Sequence, residues 1–268
     1  MTALITFVTD YGLADGFVGV CHAVIAGVCP DARVVDLSHG VPRGDIGAGA
    51  LMLRGALPYL PVGVHLAVVD PGVGSPRRAV ALATGDGRRF VGPDNGLLSL
   101  CFEPAGGVVE AVDIGSSPFV LSPTSATFHG RDIFAPVAAR LAAGAALGDI
   151  GSSCDPEGLV RLELPRAVVQ DAGLLAHAVY VDHFGNVQLE ASGADGAAAG
   201  LRAGERVVIA ARGESWPGVY GRTFTDVPPG ELVVYEDAER RLAVAVNQGS
   251  AVVRLGVSIG DSIRIAPE

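Results

Sequence analysis

Short apolar runs and helical periods alternate along the first half of the chain. The mostly apolar run Leu4 to Val8 leads into Thr9-Asp10-Tyr11-Gly12 and predicts a buried strand that ends in a turn. Phe17, Val20, Cys21, Val24, Ile25 and Val28 then recur at spacings of three and four, with Pro30 behind them, which predicts an amphipathic helix with a defined stop. Arg33 to Leu37 reads as a second strand, Asp45 to about Leu57 as a second helix, and Val64 to Val69 as a third strand. Strand, helix, strand, helix, strand is the pattern of a parallel α/β domain. Further strands are expected at Ala79 to Ala83, Arg89 to Val91 and Val108 to Val112, and a helix at about Asp132 to Leu141.

After the Gly/Ser/Pro-containing stretch Gly148 to Gly158 the texture changes to short strands separated by Gly and Pro turns. These are Ala176 to Val181, Val187 to Leu189, Arg206 to Ala210, Leu232 to Tyr235, Leu242 to Val246 and Ser262 to Ile265. The fold class expected is therefore α/β: an amino-terminal α/β domain with a mainly parallel central sheet, residues 1–165, and a smaller carboxy-terminal β domain of barrel or sandwich type, residues 166–268.

Composition narrows the function. The mean hydropathy of +0.41 comes from short Ala, Val and Leu runs broken by 37 glycines, and no run approaches the roughly 18 apolar residues of a membrane span. Met1 to Thr6 carries no basic leader, so a cytoplasmic protein is expected. A net charge of −10 and the lack of a basic stripe argue against a nucleic-acid partner. Cys21, Cys29, Cys101 and Cys154 are scattered without C-x-x-C spacing and read as small core residues. His22, His65 and His177 lie in apolar runs, and no histidine pair has H-x-x-x-H or H-E-x-x-H spacing, so no metal is expected.

Three amino-terminal strands end in polar residues, at Thr9-Asp10, Ser38-His39 and Asp70-Pro71. In an open parallel sheet that edge is where ligands bind. The segment Val69 to Arg78 holds a Gly72-Val73-Gly74 turn that sends the chain back, so that Arg77 or Arg78 can approach Asp70. It lacks the lysine and hydroxyl of a phosphate-binding loop. Thr127-Phe128-His129-Gly130-Arg131-Asp132 stands before a helix, whose amino terminus favours a neutral imidazole able to accept a proton. Asp182-His183-Phe184-Gly185-Asn186 places a carboxylate, an aromatic face and an amide within five positions, although Asp, Gly and Asn are also ordinary hairpin residues.

Together with Pro93-Asp94-Asn95-Gly96 and Asn247 to Ala251, these segments, in this order and over nearly the whole chain, resemble the S-adenosylmethionine hydroxide adenosyltransferase family, relatives of the fluorinase and chlorinase. The resemblance implies hydrolysis of S-adenosyl-L-methionine to adenosine and methionine. It further implies a carboxy-terminal β-barrel and a homotrimer whose sites lie between the amino-terminal domain of one subunit and the carboxy-terminal domain of its neighbour. No cofactor is implied, the sulfonium compound being the substrate.

Carried over by position, the water-directing triad falls on Asp70, Arg77 and His129. Asp10 falls on the carboxylate that grips the ribose hydroxyls, Asp15 on the one that meets the methionine ammonium, and Thr127 along the nucleoside pocket. Asp182, Phe184 and Asn186 fall on the neighbouring barrel's contribution. Ala238-Glu239 stands where some relatives have a serine and a basic residue near adenine, and Phe224, Trp216 and Tyr220 are all open as the aromatic that stacks on it. Halogenating relatives replace the aspartate and histidine of the triad, so retention of Asp70 and His129 implies water as nucleophile. The alternatives are a 5′-halogenase, a non-catalytic protein that binds the same sulfonium compound or adenosine, and an unrelated Asp/His hydrolase.

Overall fold

The apolar runs of the amino-terminal half form a single sheet. The structure, a computed structural model, describes residues 3–170 and 173–268, and it divides into two units, Met1–Leu162 and Glu163–Glu268. The first unit holds strands β1 (Leu4–Thr9), β2 (Arg33–Ser38), β3 (Val64–Val68), β4 (Ala79–Thr84), β5 (Arg89–Pro93), β6 (Val108–Asp113) and β7 (Ser152–Ser153) in the order β2-β1-β3-β5-β4-β6-β7. The pairs from β2 to β5 are parallel, whereas β4 runs antiparallel to both β5 and β6. Strands β1 and β3 are the centre of the parallel half and bury nearly every residue. That accounts for their almost unbroken apolar sequence.

Helix α1 (Phe17–Val28) follows the predicted period and turns most of the predicted face inward, with Cys21 and Ile25 buried and Val24 and Val28 packed on the core. Val18 is buried as well, while Phe17 and Val20 are exposed. Phe17 leaves the core to pack edge-on against Tyr11 and Phe128 at the strand ends. Asp45 caps α2 (Ile46–Ala56) by accepting the Ala48 N–H at 2.9 Å. The helix expected from Asp132 starts earlier. Gly130–Phe134 is one turn of π-helix, continued by α3 (Ala135–Ala142), and a short α4 (Leu147–Ile150) follows. Such wide turns concentrate at functional sites.

Asp132 lies inside that turn and not at an exposed helix end. It is buried, accepts the Ser125 N–H at 2.7 Å and pairs with Arg131, so it moors the loop that precedes it.

The second unit contains β8 (Val168–Gln170), β9 (Gly173–Val181), β10 (Val187–Ser192), β11 (Arg206–Ala211), β12 (Glu214–Tyr220), β13 (Leu232–Glu236), β14 (Arg241–Val246) and β15 (Ser262–Pro267). Seven of them close into a barrel, because β9 pairs with β10 as well as with β15, and β8 extends the sheet from β9. Closure removes the free edges that an open sheet of this size would present. Strand β12 was not expected from its sequence, since Glu214 to Tyr220 contains Pro217 and Gly218 and no apolar alternation. Its pairing with β11 over the full length overrides that local weakness. Two short helices, α5 (Gly193–Ala198) and α6 (Ala251–Leu255), complete the unit, so that Ala251 opens a helix instead of closing a turn. Leu174, Leu189, Ile209, Val234, Val244 and Ile263 belong to the barrel's core.

Cys21, Cys29 and Cys101 are buried free thiols, and Cys154 is a half-buried one. No helix among the described residues is long and apolar enough to cross a membrane.

His65, in the middle of β3, is fully buried. Its Nδ1 bonds to the Thr6 hydroxyl at 2.9 Å, while its Nε2 makes no hydrogen bond within the described residues. Burial first, and the nearby Arg88 charge second, push its pKa down from 6.5 to about 4. The unfolded chain takes up that proton near 6.5 and the native protein only near 4, so stability falls as pH drops through this interval. His65 alone accounts for about 3 kcal/mol of that loss at the lower end. Denaturant midpoints measured from pH 7 to pH 4 are expected to decline less steeply for His65→Gln than for the unsubstituted protein.

Candidate active site

Strand β3 delivers Asp70 to the carboxyl edge of the sheet, next to the end of β1 that carries Asp10. Asn95 fixes the delivery point by donating its Nδ2 to the Val69 carbonyl at 2.9 Å, while its own Oδ1 accepts the Leu97 N–H. Two successive turns follow, with Val73 N–H on the Asp70 carbonyl and Ser75 N–H on the Gly72 carbonyl. They bring the chain back over the carboxylate. The choice between the two arginines is then decided by geometry. Arg77 Nε donates to both Asp70 oxygens at 2.9 and 3.1 Å and Nη2 adds a further contact to Oδ2, whereas Arg78 pairs with Asp94 at 2.6 Å. Asp94 also accepts the Val160 N–H at 2.8 Å, so the Asp94-Asn95 pair props the turn from below.

Arg77 does not stop at Asp70. Its Nη2 lies 2.9 Å from His129 Nδ1, and its guanidinium stacks over the Phe134 ring at 5.2 Å. A guanidinium has donors only, so Nδ1 must present its lone pair and the neutral ring carries its proton on Nε2. The electrostatics agree. Burial first and the Arg77 charge second lower the His129 pKa, against the smaller opposing pull of Asp70 and Asp132.

Asp70 and His129, the two partners of Arg77, line a cleft of about 140 Å³ together with Asp10, Tyr11, Phe17, Val73, Thr127, Phe128 and Gly130. Asp10 is held by the Gly44 N–H, which donates to its Oδ2 at 2.8 Å. Tyr11, Phe17 and Phe128 pack edge-on in one aromatic wall, with Arg131 over the outer face of Phe128. The Tyr11 hydroxyl is held in its neutral form, chiefly by burial and then by neighbouring acidic groups. A side chain on Gly130 would run into that hydroxyl. Sequence reasoning missed the wall. Its one signal was the placement of Tyr11 directly after Asp10.

Asp10, Asp70, Arg77, Thr127 and His129 thus gather at one cleft. Asp15 stands on the exposed loop ahead of α1 and is not among the cleft's lining. In the second unit, Asp182 accepts the Phe184 and Asn186 N–H groups, each at 2.9 Å, and the Asn186 side-chain amide at 2.8 Å, so it is the hub of its own hairpin. Phe184 is 75% exposed, whereas Asn186 is buried. Ala238 and Glu239 sit on the exposed connection between β13 and β14. That connection is tied to the Asp182 hairpin through Gln188, whose Nε2 donates to Asp237 at 2.6 Å and reaches Glu239 at 3.4 Å. Of the three candidate aromatics, Trp216 and Tyr220 pack on the barrel core, while Phe224 is 42% exposed and leans edge-on against Tyr235 at 5.0 Å. Asn247 is buried with its amide on the Val227 carbonyl, and Ser250 caps α6.

The chain matches two family models, that of the SAM hydroxide adenosyltransferase N-terminal domain over residues 5–151 and that of the C-terminal domain over residues 176–264. It is 52% identical to a protein of Salinispora tropica named (R)-S-adenosyl-L-methionine hydrolase, over 98% of both chains. A fluorinase of Nocardia brasiliensis is similar at 27% identity, over 98% of this chain and 96% of that one. Among solved structures, an uncharacterized conserved protein from Thermotoga maritima superposes with a TM-score of 0.91 at 35% identity, covering 98% of this chain and 99% of that one.

Gly74 is where the turn bearing Arg77 meets the loop bearing His129. Its φ of +79° is one that L side chains avoid, and a Cβ there would lie 2.6 Å from the Ala126 carbonyl oxygen. Gly74→Ala is expected to cost about 1–3 kcal/mol of stability. It is also expected to push the turn off the loop and part Arg77 from His129. Thermal unfolding and turnover measured together check this, with turnover falling by more than the loss of folded protein explains.

Proposed function

We propose, from the premise that the chain belongs to the SAM hydroxide adenosyltransferase family, that Asp70, Arg77 and His129 aim one water molecule at the ribose C5′ of S-adenosyl-L-methionine. The enzyme hydrolyses that compound to adenosine and L-methionine. The observation that carries the assignment of the triad is the single arginine shared between a carboxylate and a neutral imidazole at the cleft.

The sulfonium is already a good leaving group. As the water oxygen bonds to C5′, the C5′–S electron pair passes to sulfur and leaves methionine as a neutral thioether. No cofactor is needed for that step. What remains is to place the water in line and to remove its proton. His129, with its proton on Nε2, offers the water oxygen a donor and holds it in position. Asp70, the acceptor of the cluster, takes the proton, and Arg77 keeps it oriented and charged in the meantime. General-base help of this kind is worth roughly 10²- to 10⁴-fold. The remainder of the acceleration falls to positioning in a site that excludes bulk water.

Asp10 is proposed to bind the ribose hydroxyls, with Thr127 along the nucleoside and Asp15 toward the methionine ammonium. The barrel is proposed to supply Asp182, Phe184, Asn186 and the Ala238-Glu239 connection to the site of a neighbouring subunit in a homotrimer. Two facts support this. The cleft of about 140 Å³ is smaller than the roughly 300 Å³ at which sites for whole small molecules begin. Phe184 also holds out a ring that its own unit leaves 75% uncovered. Nucleic acid plays no part in this reading, and a cytoplasmic enzyme working on a soluble metabolite fits it.

Turnover in water enriched in ¹⁸O tests the chemistry. Adenosine is expected to carry the label at the 5′ oxygen, in the absence of any halide, and Asp70→Asn is expected to lose at least about 100-fold in kcat. Unlabelled adenosine, or a 5′-halogenated product made only when chloride or fluoride is added, would contradict it.

The pH profile tests the imidazole. Protonation would put a second proton on Nδ1, against the Arg77 donor, so activity is expected to fall on the acid side. Because the His129 pKa is lowered, the midpoint of that fall is expected below 6.5. An acid limb at the same midpoint in His129→Asn would remove His129 from this role.

A further inference from the structure

Local spacing gave no reason to expect a metal, yet the fold gathers three potential ligands from a helix, a strand and the residue that follows that strand. His22 comes from α1, Asp36 from the edge strand β2 and His39 from the residue just beyond β2. His22 Nε2 lies 2.9 Å from Asp36 Oδ1, and His39 Nε2 lies 3.1 Å from the same oxygen. The three ligand atoms all fall within 4.8 Å of one another. A tetrahedral ion with bonds of about 2.0–2.1 Å sets its ligand atoms roughly 3.3 Å apart. The two measured separations are within a few tenths of an ångström of that value, and His22, whose side chain is 34% exposed, has room to adjust.

His39 supplies the second observation. Its side chain is only 3% exposed, and despite the proximity of Asp36 its Nε2 makes no hydrogen bond of acceptable geometry among the described residues. A buried polar nitrogen without a partner costs free energy unless something occupies its lone pair. The other ring nitrogen is engaged, with Nδ1 2.8 Å from the buried Thr9 hydroxyl. When the Thr9 oxygen accepts Nδ1–H, the Nε2 lone pair is left facing the cluster. Fixing the ring through its far nitrogen is the arrangement that metal-ligating histidines use. The Phe7 ring, edge-on at 4.9 Å, holds the imidazole from the side.

We propose that His22, Asp36 and His39 bind a divalent transition ion of the Zn²⁺ class. Two imidazoles and one carboxylate suit that class, and Ca²⁺ or Mg²⁺ would ask for oxygen ligands instead. The site lies apart from the water-directing cluster, and its half-exposed Asp36 leaves a fourth position for solvent. It has a mechanical link to the cleft all the same. Thr9 also accepts the Tyr11 N–H, and the His39 carbonyl accepts the Gly12 N–H at 2.7 Å, so an ion here would clamp α1 and β2 to the strand end that carries Asp10.

The full-length protein, freed of metal with a chelator, is to be titrated with Zn²⁺ in competition with a colorimetric indicator, and with Co²⁺ to read the coordination from its visible spectrum. One ion per chain is expected, with a tetrahedral Co²⁺ spectrum. His22→Ala and Asp36→Asn are each expected to weaken binding by at least about tenfold, and Thr9→Val by about 10- to 100-fold. Metal-free thermal unfolding of His22→Ala, whose side chain is partly exposed, establishes that the fold is retained. His129→Ala and Cys154→Ser are expected to bind Zn²⁺ as the unsubstituted protein does. Binding below one ion per chain, affinity unmoved in His22→Ala, or loss that follows His129→Ala or Cys154→Ser instead overturns the proposal.

Discussion

The guanidinium of Arg77 is the contact on which the first unit's site depends. Its charge is almost wholly withdrawn from water, with the side chain 11% exposed, and it is tolerable there because Asp70, 6% exposed, neutralises it through several hydrogen bonds. Removing either partner would strand the other as a buried unpaired charge. The demand propagates outward. Asn95 must pin the Val69 carbonyl so that the carboxylate arrives in register, Gly74 must lack a side chain so that the turn can touch Ala126, and Phe134 must offer its face beneath the guanidinium. The π-helical turn at Gly130–Phe134 is part of the same solution. It opens directly after His129 and carries Phe134 at its end, so that one local geometry sets both the imidazole and the ring on which Arg77 rests.

Most of this was legible where a residue's role is local. The strand ends at Asp10 and Asp70 follow from apolar runs that stop at a polar residue, and the return of an arginine toward Asp70 follows from a Gly-rich turn of fixed length. What sequence left open is what depends on partners distant along the chain. Arg77 and Arg78 are indistinguishable locally, and it takes Asp94, just past the end of β5, to draw Arg78 away. The aromatic wall needs Phe17 to desert the buried face of its helix for Phe128, more than a hundred residues later, and no periodicity records that. Strand β12 exists because β11 offers it a full ladder, against its own Pro and Gly. The same limit applies to His22, Asp36 and His39, whose spacing is meaningless until β2 is laid beside α1.

The barrel presents a different balance between scaffold and contact. Asp182, the carboxylate carried over by resemblance, uses its oxygens on three N–H donors of its own hairpin, which leaves it less free to receive a ligand than its sequence position implies. A carboxylate so engaged is better suited to hold the hairpin in one shape than to adapt to a substrate. The shape it holds is the one that exposes Phe184 and buries Asn186. Gly185 completes it. With φ at +81°, and no room for a side chain beside Ser250, only glycine lets the hairpin rest on the residue that caps α6. The resemblance at Asn247 to Ala251 and the resemblance at Asp182 to Asn186 are therefore two halves of one packing contact, since the Gly185 carbonyl accepts the Val252 N–H at 3.0 Å.

In the proposed mechanism, the preference for water over halide rests on more than the sign of a charge. A lone carboxylate repels an approaching anion by roughly 4 kcal/mol at 4 Å in a medium of intermediate dielectric. Here Arg77 already neutralises Asp70, so at the distance of an incoming nucleophile the pair looks closer to a dipole than to an anion. What still separates the two nucleophiles is hydrogen-bond capacity. Asp70 can only accept, and Arg77 and the Nε2–H of His129 can only donate. Water satisfies an acceptor and a donor at once, whereas a halide ion can meet the donors alone and would leave the Asp70 lone pair that faces it unmet, since Arg77 engages the carboxylate from the other side only. A site that offers a buried acceptor at the position of attack therefore penalises every nucleophile that brings no proton, and that penalty is indifferent to how well Arg77 screens the charge.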